Sequence, residues 1–337
     1  MELNIKLLEQ IMNVASPTGY TKNAVKFLAD YFKELGYESY LTKKGNLVVE
    51  VKGESDYTIG VSAHLDTLGL MVRSINADGT LRFTPLGGPI LNTYNAEYCT
   101  ILTREGKEYR GTVLSTSPAA HVFPDAKSKT LGEETMCIRL DEVVYTKDDV
   151  LKLGIQTGDF IAIDPKFEYT KSGFVKTRFL DDKASVFILA ETLRYMKEQK
   201  ITPKNNLVYM FTTYEEVGHG CSYLPSCDEL LAVDMGCIGL DLNCTEEQVS
   251  ICVKDSSGPY DFDMTNKLIE LAKELKLDYA LDVYPMYSSD GSAALRGGNN
   301  IRCALVGSGI AASHGMERTH INGLNNTFKL VLEYLTK

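Results

Sequence analysis

The strongest constraint on this chain is a change of texture that happens twice. Up to Asp66, and again after Asp181, helical patterns alternate with apolar, strand-like runs. From about Gly69 to Thr177 the pattern differs: short alternating runs such as Leu70 to Ile75, Cys99 to Thr103, Tyr109 to Leu114 and Phe160 to Ile163 are broken by turn residues, with no long helix. The flanks supply Leu47 to Val51, Thr58 to Ser62, Leu207 to Thr213 and Arg302 to Val306 as strands. They supply Lys183 to Lys197, Phe262 to Leu275 and Asn322 to Thr336 as helices. The expected architecture is an α/β domain, residues 1–68 and 170–337, interrupted by an all-β insertion at 69–169. Alternation of strand and helix around the insertion implies a mixed, mostly parallel sheet sandwiched by helices.

Bulk properties narrow the class. A chain of 337 residues with 44% hydrophobic and 24% charged residues fits a soluble globular protein of one to two domains. No apolar run approaches the roughly 18 residues of a membrane span. Met1 to Val14 reads as an amphipathic helix with Leu3, Leu7, Leu8 and Ile11 on one face, without the basic head and cleavage site of a signal peptide. The cytoplasm is therefore the expected compartment. None of the 8 cysteines forms a Cys-x-x-Cys pair, and Cys99, Cys137, Cys252 and Cys303 sit in apolar runs, so neither a disulfide framework nor a thiolate zinc site is expected. A net charge of -10 argues against nucleic acid or an anionic membrane as partner. The least regular stretch is expected at Ser117 to Glu134, rich in Pro, Lys, Ser and Thr.

The chemistry lies in polar clusters that close apolar strands. In His64-Leu65-Asp66 a period of two puts both side chains on one side, where a carboxylate can steady an imidazole for metal binding. Asp181-Asp182 opens a helix; capping is the plainer role, but one of the two can bridge cations. Glu215-Glu216 follows a strand and precedes Val217-Gly218. Adjacent carboxylates there are costly unless positive charge sits near them, and one can ligate while the other acts as general base. Asp234 closes Leu230 to Val233, and His314 follows a strand and a small-residue loop. All five clusters are expected at the C-terminal edge of an open sheet, where such folds place their sites. Oxygen and imidazole donors without thiolates suit two divalent ions sharing a carboxylate.

In that order, His64-Leu65-Asp66, Leu180-Asp181-Asp182-Lys183, Glu215-Glu216-Val217-Gly218, Val233-Asp234 and the late His314 resemble the TET-type (glutamyl) aminopeptidase family over essentially the whole chain. The gap of about 115 residues between His64 and Asp181, far beyond an ordinary loop, looks like that family's inserted PDZ-like β domain on a zinc-peptidase-like core. The resemblance implies His64, Asp181 and Asp234 around one metal and Asp181, Glu216 and His314 around the other, with Asp181 bridging. It implies Glu215 as general base and acid, and Asp66 as the residue that orients His64. The implied cofactors are two divalent ions, zinc or cobalt, with manganese also accepted.

Some positions depart from the family pattern. Lys183 stands where an arginine is usual, a mild change if the role is only charge. His314-Gly315-Met316-Glu317-Arg318-Thr319-His320 is unlike the commoner His-Ser-Pro ending and leaves His320 as an alternative last ligand; the place of His314 after the strand favours it. His219 is expected to line the pocket. His121 is expected in a pocket or at a subunit contact. Asp290 is expected to hold a substrate ammonium, brace a ligand or cap a helix, and Asp255 is similarly placed.

The activity implied is removal of N-terminal residues from short peptides with a free N-terminus. The implied state is a homo-oligomer, from a dimer up to a tetrahedral dodecamer. A two-zinc deacylase or carboxypeptidase is the alternative enzyme. Those relatives place their extra domain between the fourth ligand and the last histidine, where this chain has only about 80 residues. A glycosidase needs two spaced carboxylates and no metal pair. A non-catalytic binding protein on this fold would have lost a ligand or the base, and every position is filled.

Overall fold

The structure is a computed structural model that describes residues 2–337. Two compact units emerge, one made of Met1–Thr67 with Lys166–Lys337 and the other of Leu68–Pro165. The first opens with helix α1 (Ile5–Asn13), which starts where Asn4 accepts the Leu7 N–H and buries Leu7, Leu8, Ile11 and Met12. Helix α2 (Lys22–Glu34) buries Ala24, Val25, Leu28 and Phe32. Strands β1 (Ser39–Leu41), β2 (Leu47–Val51) and β3 (Thr58–His64) follow.

The second unit holds β4 (Gly69–Ile75), β5 (Leu81–Leu86), β6 (Tyr98–Leu102), β7 (Glu108–Ser115), β8 (Met136–Leu140), the short helix α3 (Lys147–Leu153) and β9 (Phe160–Ile163). Its strands close into a barrel in the order β4-β5-β8-β7-β6-β9. Every pairing in it is antiparallel. Alternate residues such as Leu70, Val72, Leu81, Phe83, Ile101, Val113 and Ile138 fill its interior. Closure leaves no free edge, the usual liability of a small sheet. The segment from 117 to 134 contains no helix or strand, as its composition suggested.

The chain then returns to the first unit through β10 (Glu168–Tyr169), β11 (Phe174–Thr177), helix α4 (Leu180–Gln199), β12 (Asn206–Thr212), β13 (Glu229–Val233), β14 (Gly236–Cys237) and β15 (Val249–Asp255). It continues with β16 (Gly258–Pro259), α5 (Phe262–Glu274), β17 (Tyr279–Val283), α6 (Asp290–Arg296), β18 (Arg302–Ile310), β19 (Glu317–His320) and α7 (Ile321–Thr336). The large sheet runs β1-β2-β12-β3-β13-β18-β15-β16. Its centre, β12-β3-β13-β18, is parallel, but β2 joins β12, and β15 joins β18, antiparallel. The sheet is thus mixed: parallel at its buried centre, with antiparallel pairings where β2 and β15 join it, while β17 adds to β15 in parallel. No helix among the described residues is long and apolar enough to cross a membrane.

Two features of this fold position the site. In the parallel centre His64 lies opposite Thr212, Ser62 opposite Ala232, and Val233 opposite Val306, so the loops beyond these strands leave from one level. Close approach matters as well: a Cβ on Gly307 would lie 1.4 Å from the Asp234 carbonyl oxygen, so only glycine lets the two backbones meet there. Helix α4 is buried around most of its circumference, from Leu180 through Leu193, which explains why its sequence shows little amphipathic contrast.

Phe211 of β12 is fully buried and packs on Phe32 of α2 with ring centroids 5.0 Å apart. Phe211→Ala is expected to cost about 3–5 kcal/mol, read as a lower urea midpoint for the metal-free protein. A loss below about 1 kcal/mol would show that the site tolerates collapse.

Candidate metal centre

His64 ends β3 and is 1% exposed. Its Nδ1 lies 2.9 Å from the backbone oxygen of Asp66. A carbonyl can only accept, so Nδ1 carries the proton in the neutral ring and Nε2 presents a lone pair. That lone pair faces carboxylates: Asp181 Oδ1 at 3.0 Å and Glu215 Oε2 at 3.6 Å. Lone pairs facing one another need a proton or a cation between them.

Asp181 and Asp182 open α4, and both are buried. The two carboxylate oxygens of Asp181 face different histidines, Oδ1 toward His64 and Oδ2 toward His314 Nε2 at 3.4 Å. Asp182 Oδ2 accepts the His64 N–H at 3.1 Å, while its Oδ1 has no hydrogen-bond partner among the described residues. Glu215 and Glu216 stand in a short turn after β12. Glu216 Oε2 lies 3.8 Å from His314 Nε2, and its buried Oε1 likewise lacks a partner. Asp234 follows β13, with Oδ1 accepting the Met235 N–H at 2.6 Å. Donor atoms of His64, Asp182 and Asp234 lie within 4.8 Å of one another, as do those of His64, Asp181 and Glu216.

The electrostatics are those of a site built for positive charge. Burial raises the carboxyls of Asp182, Glu215 and Glu216 well above their ordinary range, and neighbouring aspartates add to it. Asp234 is pushed up to about 7 by burial and by Asp181. Burial pushes Asp181 upward too, but hydrogen bonds from His314 and His64 outweigh it and hold that carboxyl below the usual range. Burial lowers His64, yet Glu215 and Asp181 more than compensate and raise it. Unpartnered oxygens, a lone pair turned inward and an oxygen-nitrogen donor set all fit divalent metal ions.

The remaining candidates fall in varied places. Asp66 was expected to steady His64 through its carboxylate; its backbone oxygen meets the ring instead. The carboxylate sits 3.8 Å from Nδ1 and accepts Thr18 Oγ1 at 2.7 Å and the amides of Glu215 and Glu216 at 3.1 and 3.4 Å. It holds the glutamate turn in place. His314, not His320, joins the cluster. His320 caps α7, with Nδ1 accepting the Asn322 N–H at 3.1 Å and Nε2 donating to the Ser172 carbonyl at 2.9 Å. His219 is exposed and stacks on Tyr214 with centroids 5.0 Å apart. His121 is exposed on the barrel unit.

Asp290 is buried, accepting the Cys221 N–H at 2.7 Å and the Thr212 hydroxyl, and the helix cap beside it is Ser289 rather than Asp290. Asp255 accepts from the Tyr260 and Ser292 hydroxyls, both at 2.7 Å. The role of Lys183 is more than charge: its ammonium donates to the Val14 and Met12 carbonyls at 2.6 and 3.4 Å and so anchors the end of α1. Burial there lowers it to about 7.

Sequence reasoning weighed Asp182 with Asp181 but gave it no role of its own, and it missed Glu317. Asp182 was visible as the second of two adjacent acids. Glu317, three residues after His314, is 2% exposed, and burial together with Asp181 raises it to about 8. Nothing in its local pattern distinguished it from a solvated turn residue.

The fold is that of the TET aminopeptidases, an α/β peptidase class. The TET aminopeptidase of a Thaumarchaeota archaeon from marine sediment superposes with a TM-score of 0.89 at 20% identity, covering 99% of this chain and 96% of that one. The TET1 peptidase of Pyrococcus horikoshii, which can assemble into a tetrahedron or a large octahedral shell, gives 0.87 at 22% identity over 99% of both chains. Over 334 residues the chain is 41% identical to the putative aminopeptidase YhfE of Bacillus subtilis strain 168, covering 98% of this chain and 96% of the relative. The profile of the M42 glutamyl aminopeptidase family matches residues 45–330. The chain belongs to the M42 glutamyl aminopeptidase family and is a peptidase; peptidases of this family are metal-dependent.

Without metal, Asp182, Asp234, Glu215, Glu216 and Glu317 titrate higher folded than unfolded, and so does His64. Folding therefore takes up protons, and the stability this confers is lost as pH rises through the folded values; Asp181 works in the other direction, and so does buried Lys183 above about pH 7. The melting temperature of chelator-treated protein is expected to fall from about pH 5 to about pH 8, and a saturating divalent ion to remove most of that slope. A slope unaffected by metal would place the ions elsewhere. His314→Ala is expected to weaken metal binding, whereas His320→Ala should cost about 1 kcal/mol of stability through the lost cap and leave binding intact. Calorimetric metal titration separates the two.

Proposed function

We propose that the chain is a metal-dependent aminopeptidase that removes N-terminal residues from short peptides. The observation that carries this reading is Asp181 lying between two imidazoles, with one oxygen directed to each. Asp181 would bridge two divalent ions, zinc or cobalt with manganese accepted. His64 and Asp234 would complete one site, and Glu216 and His314 the other. When bound, the ions supply Lewis-acid polarisation of the scissile carbonyl and lower the pKa of water.

The chain's own residues do the rest. Glu215, adjacent to the ligands and 3.6 Å from His64 Nε2, takes the proton from the attacking water and passes it to the leaving amine. Burial, which raises its carboxyl, gives it the proton affinity that this transfer needs. Asp66 keeps Glu215 at that distance by accepting its amide proton. Asp182 accepts the His64 amide and keeps the ring-bearing backbone fixed.

We read the barrel unit, residues 69–169 in the sequence division, as the PDZ-like assembly module that the family resemblance implies. The assembly would be a homo-oligomer, from a dimer up to a tetrahedral dodecamer, working in the cytoplasm. Support comes from the Pyrococcus relative that forms closed shells. His219 and Asp290 remain candidates for the substrate side, with Asp290 acting by bracing Thr212 and Cys221.

The test is a panel of aminoacyl-p-nitroanilides assayed with and without chelator, on wild type and Glu215→Gln. Turnover of free-amine substrates should need metal, and Glu215→Gln should lower kcat by about 10²–10⁴-fold with metal content unchanged. Turnover of N-acylated substrates alone would favour the deacylase or carboxypeptidase reading.

A further inference from the structure

The turn that carries His314 is an unfavourable piece of backbone. Strand β18 ends at Ile310, and Ala311 then pairs with Arg318 through two amide hydrogen bonds of 2.9 and 3.1 Å. Inside the strap closed by that pair, Ala312 and His314 adopt φ values of 59° and 64°, a region that glycine enters freely and other residues resist. Something must hold His314 in this conformation, since its ring has to meet Asp181.

Two buried charged residues fix the strap, Arg178 from the segment before α4 and Glu317 from the strap's own last position. Arg178 donates through Nη1 to the Gly315 carbonyl at 3.1 Å. Glu317 faces Thr177 in the β11–β19 pairing, which brings its carboxylate under the start of α4. One oxygen accepts the His314 N–H at 3.0 Å and the other accepts the Asp181 N–H at 3.1 Å. A single carboxylate therefore spans two backbone amides whose side chains face each other at 3.4 Å.

We propose that Glu317 is a positioning residue for the metal centre: by accepting both amide protons it sets the spacing between Asp181 and His314. This rests on reading the cluster as a metal site. A carboxylate suits the task because both oxygens only accept. A carboxamide accepts one N–H and turns its own NH₂ against the other, so one of the two ligand backbones loses its hold. Partners that orient metal ligands typically account for 10–100-fold in affinity.

The experiment uses the full chain, stripped with chelator and titrated with cobalt(II) by calorimetry and visible absorption, for wild type, Glu317→Gln and Glu317→Asp. Glu317→Gln is expected to weaken binding of one ion by about 10–100-fold and to change the ligand-field bands at saturation. Should it fail to fold, Glu317→Asp, one methylene shorter and able to reach only one amide, is expected to show a smaller loss of the same kind. Wild-type affinity and bands in whichever variant folds would overturn the proposal. So would a lower melting temperature of the metal-free variant with unaltered cobalt bands, which is what a merely structural residue would give. A wild-type chain that binds no cobalt would sink the metal reading itself, and this proposal with it.

Discussion

The organisation of the first unit depends on crowded negative charge. Asp181, Asp182, Glu215, Glu216, Asp234 and Glu317 are gathered with His64 and His314, and most of these carboxyls titrate far above their ordinary range as a result. Such a cluster is destabilising by itself. It persists because the parallel strands and the buried helix α4 are held by contacts outside the cluster, and the strap by the Ala311–Arg318 pair and Arg178 in addition to Glu317. The scaffold is thus strong enough to keep mutually repelling groups at fixed distances. That is the preorganisation a site of this kind requires.

Backbone amides and carbonyls do most of the fixing. The Asp66 carboxylate gathers the Glu215 and Glu216 amides, Asp182 takes the His64 amide, and Glu317 takes those of Asp181 and His314. The side chains of the cluster are therefore oriented largely from behind, through their main chains. The acids that orient them are as buried as the donors they serve.

Much of this was legible in the sequence. Polar groups at the ends of apolar strands marked His64 with Asp66, Glu215, Glu216 and Asp234, since a charged or polar side chain that closes a buried strand is costly without a partner. The break in texture near Gly69 marked the barrel unit, whose alternating pattern is local. What stayed hidden depends on non-local geometry. Strand order is not contained in periodicity, so the antiparallel edges of the large sheet and the small β10-β11-β19 sheet could not be read. The Asp181-Asp182 pair follows a strand of that small sheet, not of the central one. The roles of Asp66, Lys183 and Glu317 are hydrogen bonds to distant main-chain groups, and a residue's own neighbours in sequence say nothing about those.

The order in which the cluster residues occur along the chain has a bearing on biosynthesis. His64 is translated early, a whole barrel intervenes before Asp181, and the strap bearing His314 closes only when Ala311 pairs with Arg318. A nascent chain that has not yet emerged as far as Arg318 cannot close that strap and so cannot fix His314 beside Asp181. Completion of the cluster then belongs to a late stage of maturation, after ribosomal synthesis has passed that point.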